Sequence, residues 1–382
     1  MNILGIETSC DETAISVVKN GKEILSNVIS TQIPIHRLYG GVVPEIASRN
    51  HTMSITTVYK EAMDKAGLTI RDIDAVAIAN GPGLLGALLV GTTFAKTLAY
   101  ANNIPLVALN HMDGHVASCY LADNNLKPPF LCLLVSGGHT QIVLVSDYNK
   151  HKVLGQTRDD ACGEAFDKIA RVLGLGYPGG PAIQKMAEKG EPNIEFPRGL
   201  LDDNSLDFSY SGLKSAVINY VHNSEQRTAD RGQGSGNSGL KSADREQRTA
   251  NSGKGQGANL SSKATEKTHR SSLNAYPLKK ADVAASFQKA AIDILVIKTL
   301  RALEYVNQNG SKINTIAIAG GVSANAYLRA SLGEICAQKG INLVMPPINL
   351  CTDNGAMIAS AGYFHFVKGE NIAGLDLTAY SN

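Results

Sequence analysis

The sequence predicts an α/β protein built from two related lobes that close around a nucleotide. Three observations predict it: apolar strands that end in glycine turns, two kinds of unit that each occur twice, and a length of 382 residues. That length exceeds one ordinary domain at roughly 100–200 residues each.

In chain order, residues 3–9 read as a strand, 10–12 as a tight turn and 13–18 as its hairpin partner. The apolar run 75–79 enters Gly81-Pro82-Gly83 and then an Ala/Leu-rich helix to about Tyr100. The plan then repeats. Residues 130–135 form an apolar strand, Ser136-Gly137-Gly138-His139 the turn and 140–145 the returning strand. Helices are expected over 211–221 and 281–306. The strand 315–319 enters Gly320-Gly321 and a helix from near Ser323 to about Lys339, and 356–361 opens an apolar helix. Strands apolar throughout belong to a sheet covered on both faces. A glycine turn at such a strand's end, followed by a helix, leaves backbone N–H groups for an anion. Four such turns in symmetric places predict a nucleotide cleft between a lobe at 1–127 and a lobe at 128–382.

The second lobe is interrupted. Residues 223–272 contain no Val, Ile, Phe, Met or Tyr and carry nine Lys/Arg against five Asp/Glu. Such a stretch cannot offset its ordering entropy by burial, so it is expected to be a disordered insert. It also duplicates its surroundings: 212–216 recurs at 239–243, and 225–229 at 246–250. Of the formal +2 the insert supplies about +4, leaving the remainder near −2. With 43% hydrophobic and 18% charged residues the chain as a whole is globular rather than disordered.

No run of about 18 apolar residues occurs, and Met1-Asn2-Ile3-Leu4-Gly5 enters a strand with no basic residue before it. No membrane span, secretory signal or transit peptide is expected. Six scattered cysteines without a CxxC pair argue against a disulfide framework and a cysteine zinc site, and suit a reducing cytoplasm.

His111 and His115, four apart, lie one helical turn apart on one face, the spacing for two imidazoles on one metal. Asp113 falls on a different face. Met112 stands where a zinc-protease helix carries its general base, which speaks against a protease. The third ligand expected is Asp353, although an Asp just before the 356–361 helix can equally serve as its N-cap. Two imidazoles and a carboxylate suit iron(II) or zinc acting as a Lewis acid. Asp11 and Glu12, in the first hairpin turn, are placed either to accept a proton or simply to be solvated.

Six segments in order, Gly5 to Thr13, Asn110 to His115, Leu134 to Thr140, Gly163 to Lys168, Tyr177 to Pro181 and Gly320 to Asn325, together resemble the bacterial tRNA N6-adenosine threonylcarbamoyltransferase family. The resemblance spans nearly the whole chain outside the insert. It implies a two-lobed actin-like fold (acetate kinase, Hsp70, actin) with duplicated lobes and a central nucleotide and metal cleft. It also implies transfer of the threonylcarbamoyl group of threonylcarbamoyl-AMP to the N6 amine of the adenosine 3′ of the anticodon, in tRNAs reading codons that begin with A. Carried over, His111, His115 and Asp353 hold one iron ion per subunit, with zinc as the alternative. Leu134, Val135, Ser136, Gly137, Gly138, Asp167, Gly180 and Asn325 bind the adenylate, and Asp11 is the catalytic candidate. Asp167 is also readable as half of an ion pair, Asn325 as a cap and Gly180 as a turn residue. A smaller paralogous actin-like subunit and a small P-loop ATPase are the implied partners. The family usually has Glu where this chain has Asp113, and the insert is foreign to its pattern. The competing reading is an ATP-dependent small-molecule kinase on the same fold, in which the His pair is idle; a non-catalytic nucleotide switch is a third.

Overall fold

The computed structural model describes residues 1–201, 203–234 and 279–381. Two compact units are present, Met1–Asn219 with Lys280–Asn382, and Tyr220–Lys279. The first holds both sheets.

The first sheet begins with the expected hairpin, β1 (Asn2–Glu7) and β2 (Glu12–Lys19), continued by β3 (Glu23–Thr31). After α1 (Ile33–His36) and the long α2 (Pro44–Ala66), β4 (Ala75–Gly81) pairs parallel to β1, and α3 (Leu85–Asn102) leads to β5 (Leu106–Asn110). Helix α4 (His111–Ala122) starts directly where β5 ends. The second sheet has β6 (Phe130–Val135), β7 (Thr140–Asp147) and β8 (Lys150–Gln156), followed by α5 (Cys162–Val172), α6 (Gly179–Ala187), α7 (Ser211–Gly234) and α8 (Lys280–Gln308). It is completed by β9 (Thr315–Ala319), α9 (Ala326–Lys339) and β10 (Asn342–Val344), before α10 (Gly355–Lys368) and β11 (Ile372–Ala373).

The strand orders state the duplication. From its outer edge the first sheet reads β3-β2-β1-β4-β5 before adding β11, and the second reads β8-β7-β6-β9-β10. In each, a three-strand antiparallel meander is extended by two parallel strands. The parallel central strands β4 and β6 are buried at every position, as their continuous apolar runs require.

Two expectations are corrected. The chain does not stay in its second lobe to the end: α10 packs on β1, β2 and β4, and β11 pairs antiparallel with β5, so residues 355–373 belong with the first sheet. The apolar face of α10 needs a sheet to cover, and the first sheet is the one it meets. The helix α7 also continues through 223–234, where a loop was expected. The rest of the expected insert, 235–272, lies outside the described residues.

One core cluster joins the sheets through α4 and α10, drawing Ile3, Ala77 and Leu109 from the first sheet and Cys132, Val143 and Ala317 from the second. A second cluster lies under α2 and α3 on the far face of the first sheet. The approach of α10 is close: a Cβ on Gly5 of β1 would fall against Gly355 O and Ala359 N. Overpacking a backbone contact of this kind costs about 1–3 kcal/mol. Gly5→Ala is therefore expected to lower the midpoint of thermal unfolding by several degrees, and an unchanged midpoint would show that α10 can yield.

Candidate metal and transfer site

Helices α4 and α10 meet near their N-terminal ends. Asn110 caps α4, its Oδ1 accepting from Met112 N at 2.8 Å, which puts His111 in the first turn. Asn354 caps α10, accepting from Met357 N at 2.9 Å. The cap of α10 is thus Asn354, and Asp353, one residue earlier, is left free to turn toward α4. Its Oδ1 lies 3.4 Å from His111 Nε2 and 3.3 Å from His115 Nε2. A ligand atom from each of the three residues lies within 4.8 Å of the others.

The donors fit a metal. Nδ1 of the fully buried His115 has no hydrogen-bond partner, and its Nε2 has only the Asp353 carboxylate at 3.3 Å without a well-directed hydrogen bond, a costly state for an imidazole that water or an ion relieves. Tetrahedral bonds of about 2.0–2.1 Å place ligand atoms about 3.3 Å apart, which matches the separations from Asp353. On the other side of His111, Nδ1 donates to Glu7 Oε2 at 2.9 Å, which leaves Nε2 to face Asp353. A carboxylate behind a ligating imidazole fixes its tautomer and raises its basicity. Glu7 is fully buried at the end of β1, and its other oxygen accepts from Ser9 N. Burial raises the pKa of the Asp353 carboxyl, but His111 and His115 more than reverse this and hold it well below the carboxylate range. Burial lowers that of His111, and Glu7 and Asp353 outweigh it, holding it above the ordinary imidazole value.

The first hairpin turn stands beside this cluster. Asp11 is buried and its Oδ2 has no partner within the chain, so it offers a free acceptor. Burial, then Asp11 and then Asp353, push the Glu12 carboxyl upward, and its Oε1 accepts from Thr31 Oγ1 at 3.1 Å. Asp11 also acts electrostatically on Asp167 and Tyr177.

The adenylate candidates gather at the C-terminal ends of β6 and β9. Leu134 and Val135 lie inside the sheet, side chains buried and backbone paired with β7. Beyond them Ser136 to His139 closes as a turn, Ser136 N donating to His139 O at 2.8 Å and His139 N to Ser136 Oγ at 3.1 Å. Gly137 and Gly138 face open space. A Cβ on Gly163, opening α5, would sit 2.6 Å from Ser136 O; one on Gly320, at φ +86°, would sit 2.5 Å from Val135 O. Both glycines therefore let the turn approach α5 and β9. Asp167 accepts from Gly179 N at 2.6 Å and pins the start of α6, while the neighbouring Lys168 pairs with Asp160 and Glu164. No atom crowds Gly180, in the first turn of α6. Asn325 caps α9, accepting from Leu328 N and donating to Gln288 Oε1, each at 3.0 Å. Its side chain is thereby occupied by the protein.

Sequence reasoning missed two residues near the cluster. Glu7 was legible as an acid ending an apolar strand. His139 closes the second hairpin turn, and burial with His111 and His115 nearby lowers its pKa. Asp113, on the opposite face of α4 as expected, has Oδ1 2.8 Å from His151 Nε2 and Oδ2 3.7 Å from His365 Nε2, in the wall of a separate cavity of about 560 Å³.

Comparison with known proteins places the chain in a family. A family model described as TsaD, tRNA N6-adenosine threonylcarbamoyltransferase, matches residues 23–360. The chain belongs to that family. Among its members, the tRNA N6-adenosine threonylcarbamoyltransferase of Clostridium botulinum (strain 657 / Type Ba4) is 47% identical over all of this chain and 97% of its own length. That of Clostridioides difficile (strain 630) is 46% identical over 96% and 94%. In fold alone, the crystal structure of T. kodakarensis HypF is similar with a TM-score of 0.56 and 14% identity, over 96% of this chain and 48% of that one. The fold of this family member is thus the two-lobed actin-like one that its duplicated sheets describe.

The metal reading makes a prediction independent of turnover. Glu7→Gln keeps the shape of the side chain but removes its charge behind His111, and is expected to weaken iron or zinc affinity about 10–100-fold. Competition with a coloured chelator measures this, and an unchanged affinity would detach Glu7 from the metal.

Proposed function

We infer that this chain transfers the threonylcarbamoyl group of threonylcarbamoyl-AMP to the N6 amine of the adenosine 3′ of the anticodon, in tRNAs reading codons that begin with A. The observation that carries the inference is the convergence of His111, His115 and Asp353 beside the free acceptor of Asp11, in a chain about half identical to named transferases. One iron ion per subunit, or zinc, is proposed on those three residues; when bound it supplies Lewis acidity for the carbamoyl carbonyl.

The chain's own residues do the rest. The adenylate is proposed to lie along the 136–138 turn and the start of α6, where Gly137, Gly138 and Gly180 leave room for close backbone approach. There the N–H groups stabilise charge that grows on the departing phosphate. The amine nitrogen forms the new C–N bond, the C–O bond to AMP breaks, and the amine proton passes to Asp11 Oδ2. Leu134 and Val135 act by holding the turn at the end of β6. Asp167 and Asn325 act by fixing the starts of α6 and α9.

The acceptor tRNA, a smaller paralogous actin-like subunit and a small P-loop ATPase are the proposed partners. A cytoplasmic location is proposed as well: the six cysteines are all free, and no helix among the described residues is long and apolar enough to cross a membrane. The near-neutral charge of the chain outside 223–272 leaves partner subunits to supply part of the cationic surface that tRNA phosphates need.

The test is mass spectrometry of nucleosides from tRNA incubated with the protein, its partner subunits and threonylcarbamoyl-AMP. Threonylcarbamoyl-adenosine is expected, and Asp353→Asn should abolish both it and the bound metal. No product from the metal-loaded complex would overturn the assignment. Asp11→Asn should lower kcat about 10²–10⁴-fold with little change in KM, the range for loss of a proton acceptor.

A further inference from the structure

The turn that carries Asp11 is tied down one carbonyl at a time. Ser9 O accepts from Leu84 N at 2.8 Å, Asp11 O from Gln32 N at 2.9 Å, and Cys10 O from His51 Nε2 at 2.9 Å. Two of the three ties come from backbone groups that any residue supplies. The third comes from a side chain, His51, on the face of α2 that packs against β2 and β3, with no exposed surface. A carbonyl can only accept, so His51 carries its proton on Nε2 and presents a lone pair at Nδ1. Thr13 Oγ1 donates to that lone pair at 2.7 Å, and Ser54 Oγ is a further partner of Thr13 at 2.9 Å. The imidazole therefore grips the turn on both sides of Asp11 and Glu12, at Cys10 and at Thr13. Burial lowers its pKa, in keeping with this neutral form.

We propose that His51 is a positioning residue for the transfer: by holding the Cys10 carbonyl and the Thr13 hydroxyl it fixes the turn that presents Asp11 to the acceptor amine. This rests on the reading of Asp11 as the proton acceptor. His51 touches neither metal ligand nor substrate in this account, so its loss should act on kcat through Asp11 and leave metal affinity as it is. A misplacement of about 1 Å in a reacting group is enough to cost about 10²-fold.

The experiment is a double-mutant cycle on the metal-loaded complex, with kcat and KM for tRNA modification, metal affinity and the thermal midpoint measured for each variant. His51→Ala is expected to lower kcat about 10²-fold with metal affinity unchanged. His51→Gln, whose amide N–H can reach the Cys10 carbonyl, should recover most of that loss. In an Asp11→Asn background His51→Ala should cost far less, because residues acting as a unit are not additive. If His51→Ala lowers kcat by the same factor with and without Asp11, or if His51→Gln recovers nothing, the positioning role is overturned while Asp11 keeps its own. If Asp11→Asn alone retains full kcat, the reading of Asp11 fails and the inference goes with it. Should His51→Ala not fold, Thr13→Val and Thr13→Ser read the same link. Loss of kcat in the first with recovery in the second supports it, and no loss in the first overturns it.

Discussion

Helix α4 packs against α10 with Gly114 turned toward Met357 and Ile358, so near that a Cβ there would lie 2.6 Å from Ile358 Cδ1. On its other side α10 lies against β1 with no room for a side chain on Gly5, and Gly355 leaves none toward Ile15 and Ser16 of β2. This three-way contact sets where the two helices begin. Because each carries its ligands at or just before its first turns, the helix crossing itself brings His111 and His115 to Asp353. Residues about 240 positions apart in sequence are thus joined by packing, not by a designed loop. The distance between Asp353 and the imidazoles consequently answers to the size of residues that never touch a ligand.

The same arrangement concentrates negative charge. Glu7, Asp11, Glu12 and Asp353 surround two imidazoles in a region with little solvent, and burial alone would protonate some of them. A bound divalent cation compensates for this more completely than two histidines can. The costs are unequal across the group. Glu7 and Asp353 each face His111 at close range, whereas Asp11 Oδ2 is left with nothing. An unsatisfied buried carboxylate oxygen costs stability, and such groups persist where the chemistry uses them. The carbonyls of Ser9, Cys10 and Asp11 are each held by a hydrogen bond from the surrounding elements.

How much of this was legible in sequence depended on the range over which each signal acts. The hairpins, the strand-glycine-helix units and the His111/His115 spacing are local patterns of period two or of one helical turn, and all are present in the structure. Asp353 was readable as a ligand or a cap; only the three-dimensional path showed Asn354 taking the cap. Asn325 carried the same ambiguity and Asp167 one between ligand and ion pair, and the structure gives both side chains to helix starts. Glu7 behind His111 and His51 behind Cys10 are pairings across 104 and 41 positions, which no spacing rule encodes. The return of α10 to the first sheet escaped for a related reason. An apolar helix announces that it must be covered and says nothing about which sheet will cover it.

Asp113 illustrates what a shorter acid changes. Standing between His111 and His115 in sequence but on the far face of α4, it meets His151 of β8 and His365 of α10. It thereby ties the helix of His111 and His115 to an outer strand of the second sheet and to the helix that follows Asp353. Burial raises its pKa, and the close contact from His151, with the His365 imidazole nearby, more than offsets this, so the carboxylate is held in its charged form. A Glu at this position would have one more methylene to fit against two imidazoles that already reach the shorter acid. Asp113 therefore bears on the orientation of α4 from behind, away from the donor atoms that face Asp353.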